Sequence, residues 1–199
     1  LELAPGSMVS ESELAQQMGL SRTPVREALN ELSRVKIVEV APQRGSRIAL
    51  IDYKLVEEAS FVRRTLECAV VERCCERGID AALPGLAESI QLQHYFLKNE
   101  MESRFLEEDI AFHRRLFTAV DLDQTWQLVN GMTIHLDRVR MMSIKTHTGR
   151  TTVSEHEALL EAIRARDGEK ARQVMYGHLT RYQVDKQGIC ALYPDYVKT

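Results

Sequence analysis

The sequence predicts a mostly α-helical protein in two parts: a short helix pair followed by a small β-ribbon, and then an all-helical bundle. Three observations predict it. Residues 10–32 carry two short amphipathic patterns separated by a glycine. Two β-like runs follow, at Val38–Val40 and Ile48–Leu50. From about residue 53 onward, apolar residues recur every three or four positions with no alternating stretch. A chain of 199 residues is long enough for two small domains.

In the first pattern, Ser10 is followed three residues later by Glu13, which predicts a capping box at a helix start. Leu14, Ala15 and Met18 give that helix an apolar face, and Gly19 ends it, since glycine accepts the left-handed conformation of a sharp stop. Ser21 and Thr23 can each cap a second helix, and Pro24 is tolerated only in a first turn. Val25, Leu29 and Leu32 then face inward, while Arg22 and Arg26, four apart, stand on one outward face. Such a pair is either an ordinary amphipathic helix pair or a helix-turn-helix aimed at phosphates and guanine edges in a major groove. The ribbon favours the second reading. Pro42–Arg47 makes a turn with two cations, Arg44 and Arg47, at its tip, which suits a phosphate backbone or a minor groove.

These residues resemble the winged helix of GntR-family bacterial transcription regulators. The resemblance is carried by Leu3-Ala4-Pro5-Gly6, by Glu11-Ser12-Glu13-Leu14-Ala15, by Gly19-Leu20 followed by SRTPVREAL (residues 21–29), and by Arg44-Gly45. It implies phosphate and base contacts by Ser21, Arg22, Thr23 and Arg26, and backbone approach to DNA at Gly45, with the turn cation Arg44 as a further DNA-binding candidate. Two positions depart from the family. Ser12 stands where many members carry a basic residue, and Lys36 where many carry glycine. Leu1–Ser7 reads as the end of a preceding segment, because the family has another helix before the Pro–Gly turn.

Composition narrows the alternatives. There are 26 Lys and Arg against 29 Asp and Glu, a net charge of −3, so any nucleic-acid contact must come from a local basic patch. No apolar run approaches the ~20 residues of a membrane span, and no signal peptide is recognisable. Cys68, Cys74, Cys75 and Cys190 lack paired zinc spacing, and adjacent Cys74-Cys75 is a poor disulfide. They read as reduced, mostly buried thiols of a cytoplasmic protein.

The domain boundary is expected after the wing, giving a winged helix-turn-helix over residues 1–51 and a helical domain over 52–199. Helices are expected at about 53–78, from Pro84 to about 99, and over 101–120 and 124–145. Two more are expected from 152 to 167 and from 169 to about 188.

Within this bundle Asp109 and His113 lie four apart and share a helix face. His156 sits near the start of the next-to-last helix and His178 in the last. From spacing alone these are either hydrogen-bonded core histidines with a helix-surface carboxylate, or one carboxylate and three imidazoles meeting around a metal. His94, His135 and His147 fit no ligand pattern and read as surface or core histidines. Trp126 reads as a packing residue, and Met141-Met142 as a core or dimer contact.

The segment from about Tyr53 to Val184 resembles the FCD ligand domain of GntR regulators. Metal-binding members of that group carry Asp-x-x-x-His, then Glu-His ahead of an apolar helix, then a late histidine. The resemblance therefore implies that Asp109, His113, His156 and His178 hold one divalent metal, zinc first, with nickel, manganese and iron as alternatives. It also implies open coordination positions for a small organic acid. Arg63 and Glu67 match a family Arg-x-x-x-Glu stretch. Arg63 is either an effector-carboxylate contact or one half of an ion pair. The expected function is a non-enzymatic, homodimeric regulator of operator DNA, switched by a small carboxylate at the metal and without membrane association. The competing readings are a metal-dependent hydrolase or oxygenase, and a direct metal sensor.

Overall fold

The computed structural model describes residues 3–41, 45–143 and 149–198. By internal contacts the chain forms two compact units, Leu1–Tyr53 with Cys190–Thr199, and Lys54–Ile189. The last ten residues thus group with the N-terminal unit, whereas the sequence assigns everything after residue 51 to the bundle.

The first unit holds β1 (Met8–Val9), α1 (Glu11–Met18), α2 (Arg22–Arg34), β2 (Val38–Ala41) and β3 (Gly45–Ile48). Gly19 adopts φ +65°, and the Leu20 N–H donates to the Ala15 carbonyl, which closes α1 as expected. The predicted capping box does not form. Ser10 has extended N-cap geometry, but its hydroxyl pairs with Ser12 rather than with a helix N–H. Ala15, Val25 and Leu29 are buried as predicted, whereas Met18 is exposed. Lys36 occupies the left-handed region at φ +59°, which glycine adopts without steric cost. Its N–H and that of Ile37 close the end of α2 onto Ser33 and Leu32.

The wing has three strands, not two. The sheet order is β1-β3-β2, antiparallel throughout, with Met8 opposite Arg47 and Val38 opposite Ile48. β3 also begins earlier than the apolar run suggests, because Ser46 is a buried polar residue on the same face as Ile48. Arg47 therefore lies in a strand rather than at the turn tip, and its Nε donates to the Gly6 carbonyl.

The second unit is helical: α3 (Tyr53–Arg77), α4 (Leu83–Lys98), α5 (Glu102–Thr118), α6 (Asp123–Ser143), α7 (Gly149–Arg164), α8 (Gly168–Thr180) and α9 (Tyr182–Leu192). Pro84 sits in the first turn of α4, where its missing N–H would have no helical acceptor. α7 starts three residues before the expected Thr152, with Gly149 buried against the Leu97 side chain. The expected last helix is divided at Arg181. The Thr180 hydroxyl donates to the Tyr176 and Gly177 carbonyls, competing with the helix ladder at that point. The core is built on Leu86, Phe105, Phe112, Phe117, Val129 and Met175, and Trp126 packs against Phe117 within it. Cys68, Cys74 and Cys75 are buried thiols. Burial pushes Cys74 up to about 12, so these sulfurs are unreactive packing groups.

Candidate functional site

In the first unit, α2 presents Arg22, Thr23 and Arg26 to solvent, with its exposed N-cap Ser21 beside them and Val25 and Leu29 turned inward. A helix with this division keeps its cations outside because Val25 and Leu29 fix its roll. Sequence reasoning missed a carboxylate between the two arginines. Glu11, at the start of α1, receives Arg26 Nε (3.1 and 3.2 Å) and Arg26 Nη2 (2.9 Å), and lies 3.7 Å from Arg22 Nη2. The Arg26 hydrogen bonds hold the Glu11 carboxyl below the usual carboxylate range, and Glu11 in turn raises Arg26. The bidentate grip leaves the outer face of the Arg26 guanidinium available to a ligand. Gly45 has φ +90°, and a Cβ there would approach the Val9 carbonyl at 3.2 Å, so this position requires glycine on backbone grounds alone. Arg44 lies outside the described residues.

In the second unit Asp109, His113, His156 and His178 come together. One ligand atom from each lies within 4.8 Å of all the others. Asp109 and His113 project from α5 one turn apart, His156 from α7 and His178 from α8. Phe112 stacks on His156 at 4.2 Å and walls the cluster on its apolar side. Asp109, His113 and His156 are at most 1% exposed.

Each imidazole has an oxygen from elsewhere in the fold beside Nδ1, as a hydrogen bond at His156 and His178 and as a close ion-pair contact at His113. Glu67 Oε2 lies 2.6 Å from His113 Nδ1, Gln93 Oε1 lies 2.7 Å from His156 Nδ1, and Glu155 Oε2 lies 2.8 Å from His178 Nδ1. An oxygen acceptor at Nδ1 selects the tautomer with its proton there and leaves Nε2 as a lone pair. The three Nε2 atoms then point into one space. His113 Nε2 and His178 Nε2 are 3.2 Å apart, and Asp109 lies 3.8 Å from His113 Nε2 and from His156 Nε2. His156 Nε2 and Asp109 Oδ1 are buried without a hydrogen-bond partner. Burial lowers all three histidines, those at 156 and 178 well below the usual imidazole range, so they are neutral near pH 7. Converging neutral lone pairs beside a carboxylate repel one another, and a cation at their focus removes the repulsion. The donor set fits zinc, with nickel, iron and manganese compatible.

A ring of charged residues surrounds this centre. Arg63 Nε donates to Glu67 Oε1 at 2.5 Å, and both side chains are buried. Burial acts to raise the Glu67 carboxyl, but Arg63 and His113 together hold it well below its ordinary value. Arg140 pairs with Asp109 and, at 2.9 Å, with Asp137. Arg181 pairs with Glu155 and donates to Thr152 at 3.0 Å. Arg63 is therefore in the ion pair that its spacing allowed, one residue removed from His113. Glu67 shared its sequence motif with Arg63, but Gln93, Arg140 and Arg181 gave no local signal. Of the other histidines, His94 pairs with Glu157 on the surface and His135 is buried. His147 lies outside the described residues.

Residues 1–48 match the model of the bacterial regulatory proteins of the gntR family, and residues 58–181 match the FCD domain. The chain is a GntR-family transcription regulator. It is 30% identical to the HTH-type transcriptional repressor RspR of Escherichia coli over 178 residues, 89% of this chain and 78% of that one. It is 26% identical to the gluconate operon transcriptional repressor of Bacillus subtilis, over 81% of this chain and 69% of that one. In fold it is similar to E. coli McbR/YncC, with a TM-score of 0.76 at 22% identity over 98% of this chain and 91% of that one. A GntR regulator from Rhodococcus sp. RHA1 gives 0.74 at 23% identity, over 96% and 90%.

The GntR regulator is thus a winged helix-turn-helix joined to an FCD effector-binding domain, and its family binds operator DNA. Its relatives are transcription regulators and not enzymes, so the hydrolase or oxygenase reading does not hold. No described helix is long and apolar enough to cross a membrane.

Proposed function

We propose that this regulator senses a small carboxylate at a divalent metal held by Asp109, His113, His156 and His178, zinc first. We further propose that it reads a palindromic operator as a homodimer through Ser21, Arg22, Thr23, Arg26, Arg44 and Gly45. The observation that carries the sensing half is the common orientation of the three imidazoles, each with an oxygen of Glu67, Gln93 or Glu155 beside Nδ1 and with Nε2 turned to Asp109. Metal-site histidines are oriented in this way by their outer partners.

Charge supports an anionic effector. Among the described residues around the centre, the carboxylates of Asp109, Glu67, Glu155 and Asp137 face the guanidiniums of Arg63, Arg140 and Arg181. Four negative charges against three positive ones leave one negative charge, and a divalent ion reverses it to one positive. A carboxylate on an open position of the metal would neutralise that excess, with Arg63 or Arg140 available for a second anionic group. Effector binding would bias the two winged helices toward one placement and so change operator affinity by the effector's differential affinity for the two states.

The test is a thermal-shift panel of small carboxylates on zinc-loaded and chelator-stripped protein, followed by gel shifts on operator DNA selected from a random library. The expected result is one acid that stabilises only the zinc-loaded form and alters the gel shift. Zinc alone moving the gel shift, with every acid silent, would make the ion itself the signal. Absence of any sequence preference in the selected DNA would contradict the operator half.

A further inference from the structure

The last residues of the chain do something that neither matched segment covers. After α9, Pro194–Tyr196 forms a single 3-10 turn, with the Tyr193 and Tyr196 rings stacked at 5.4 Å. Val197 is extended, at φ −107° and ψ 138°, and forms a parallel β-bridge with Ile51. The Ile51 N–H donates to the Tyr196 carbonyl at 2.8 Å, and the Lys198 N–H donates to the Ile51 carbonyl at 2.9 Å. Lys198 Nζ adds an ion pair to Asp52 at 3.1 Å. Ile51 and Asp52 are the linker that leaves the wing and enters α3. The linker and the C-terminal segment both fall outside residues 1–48 and 58–181.

The chain passes between its two compact units twice, after Tyr53 and after Ile189. The Ile51–Val197 bridge lies within the first unit, just before the first passage and just after the second. The second passage is α9, which begins at the Arg181 break after the helix of His178. Glu155 is shared at that break, since it accepts from His178 Nδ1 and pairs with Arg181. A cation at His178 Nε2 would make the Nδ1–H a stronger donor and draw Glu155 toward His178 at the expense of Arg181. Occupancy of the metal centre would thereby be felt at the start of the helix that leads to the C-terminal segment.

We propose that residues 193–198 are a strap that carries the state of the metal centre to the linker of the winged helix, through His178, Glu155, Arg181 and α9. This rests on the metal reading above. The strap is a directed path because it ends on both backbone groups of a single linker residue, Ile51.

Hydrogen exchange on the full chain tests it, comparing chelator-stripped with zinc-loaded protein while zinc uptake is measured separately. Zinc is expected to change the exchange of the Ile51 and Lys198 amides by about tenfold, the scale of roughly one net hydrogen bond. Lys198→Pro removes one donor of the bridge, and a chain ending at Leu192 removes the strap. Both are expected to bind zinc with unchanged stoichiometry and to lose the zinc response at Ile51. Zinc bound by the wild type with no change at either amide overturns the strap and leaves the metal reading standing. So does an undiminished Ile51 response in the shortened chain. No zinc uptake by the wild type overturns the metal reading, and the strap with it.

Discussion

Two clusters in this molecule use the same ingredients, arginine and carboxylate, in opposite solvents. On the surface of the winged helix, Glu11 holds Arg26 and Arg22, whose side chains remain 58% and 64% exposed. Inside the bundle, Arg63 and Glu67 are 4% and 1% exposed. Water and salt screen the first, so its pairing is weak and its arginines can be handed to phosphates or bases without leaving a stranded charge. The second has no water to fall back on, and each group persists because its partner does. The exposed cluster is therefore suited to exchange, and the buried one to holding a fixed arrangement.

The largest way to break the contrast is inside. Glu67→Ala strands Arg63 and releases His113, and is expected to destabilise the protein by about 3–5 kcal/mol in urea unfolding, the range for breaking one partner of a buried pair. Metal removal comes next. At zinc near a thousand times its dissociation constant, chelation should remove about 4 kcal/mol, roughly a 10 °C fall in Tm by scanning calorimetry. The holders of the imidazoles give a graded version. Gln93→Leu or Glu155→Gln should weaken zinc by about 10–100-fold in competition titrations while leaving the fold intact.

On the surface the effects move from stability to binding. Arg26→Ala should weaken operator binding by roughly tenfold or more and leave the melting curve in place. Glu11→Gln should tighten binding to random-sequence DNA by about a few-fold, since it removes a negative charge from a surface offered to phosphates. A stability loss from Glu11→Gln comparable to that from Glu67→Ala would erase the contrast. The smallest effect concerns the backbone. Lys36→Gly at φ +59° should stabilise the winged unit by about 0.5–1 kcal/mol, the relief of a left-handed residue less the added freedom of the unfolded chain.

What the sequence made legible follows the range of the signals. The helix pair, the stop at Gly19 and the Asp109–His113 pairing are encoded within a few residues of one another, and they appear where spacing places them. The capping box at Ser10 failed although its pattern is local, because the neighbouring Ser12 hydroxyl offers a competing partner. The third strand was invisible because Met8–Val9 is too short to alternate, and β3 was misplaced because buried Ser46 breaks the apolar run. The four proposed ligands could be named from helical spacing and family resemblance. The atoms that aim them could not: Gln93 reaches His156 across 63 residues, and Arg140 reaches Asp109 across 31. Glu11 meets Arg26 across fifteen residues and two helices, beyond any local pattern.

A calorimetric zinc titration of metal-stripped protein beside its His156→Ala variant decides whether Asp109, His113, His156 and His178 hold a metal. One zinc per chain is expected for the wild type and loss of that site in the variant, with the helical content of the two unchanged. Failure of the wild type to bind zinc or any other divalent transition metal would contradict the metal site, as would a variant that binds as tightly as the wild type.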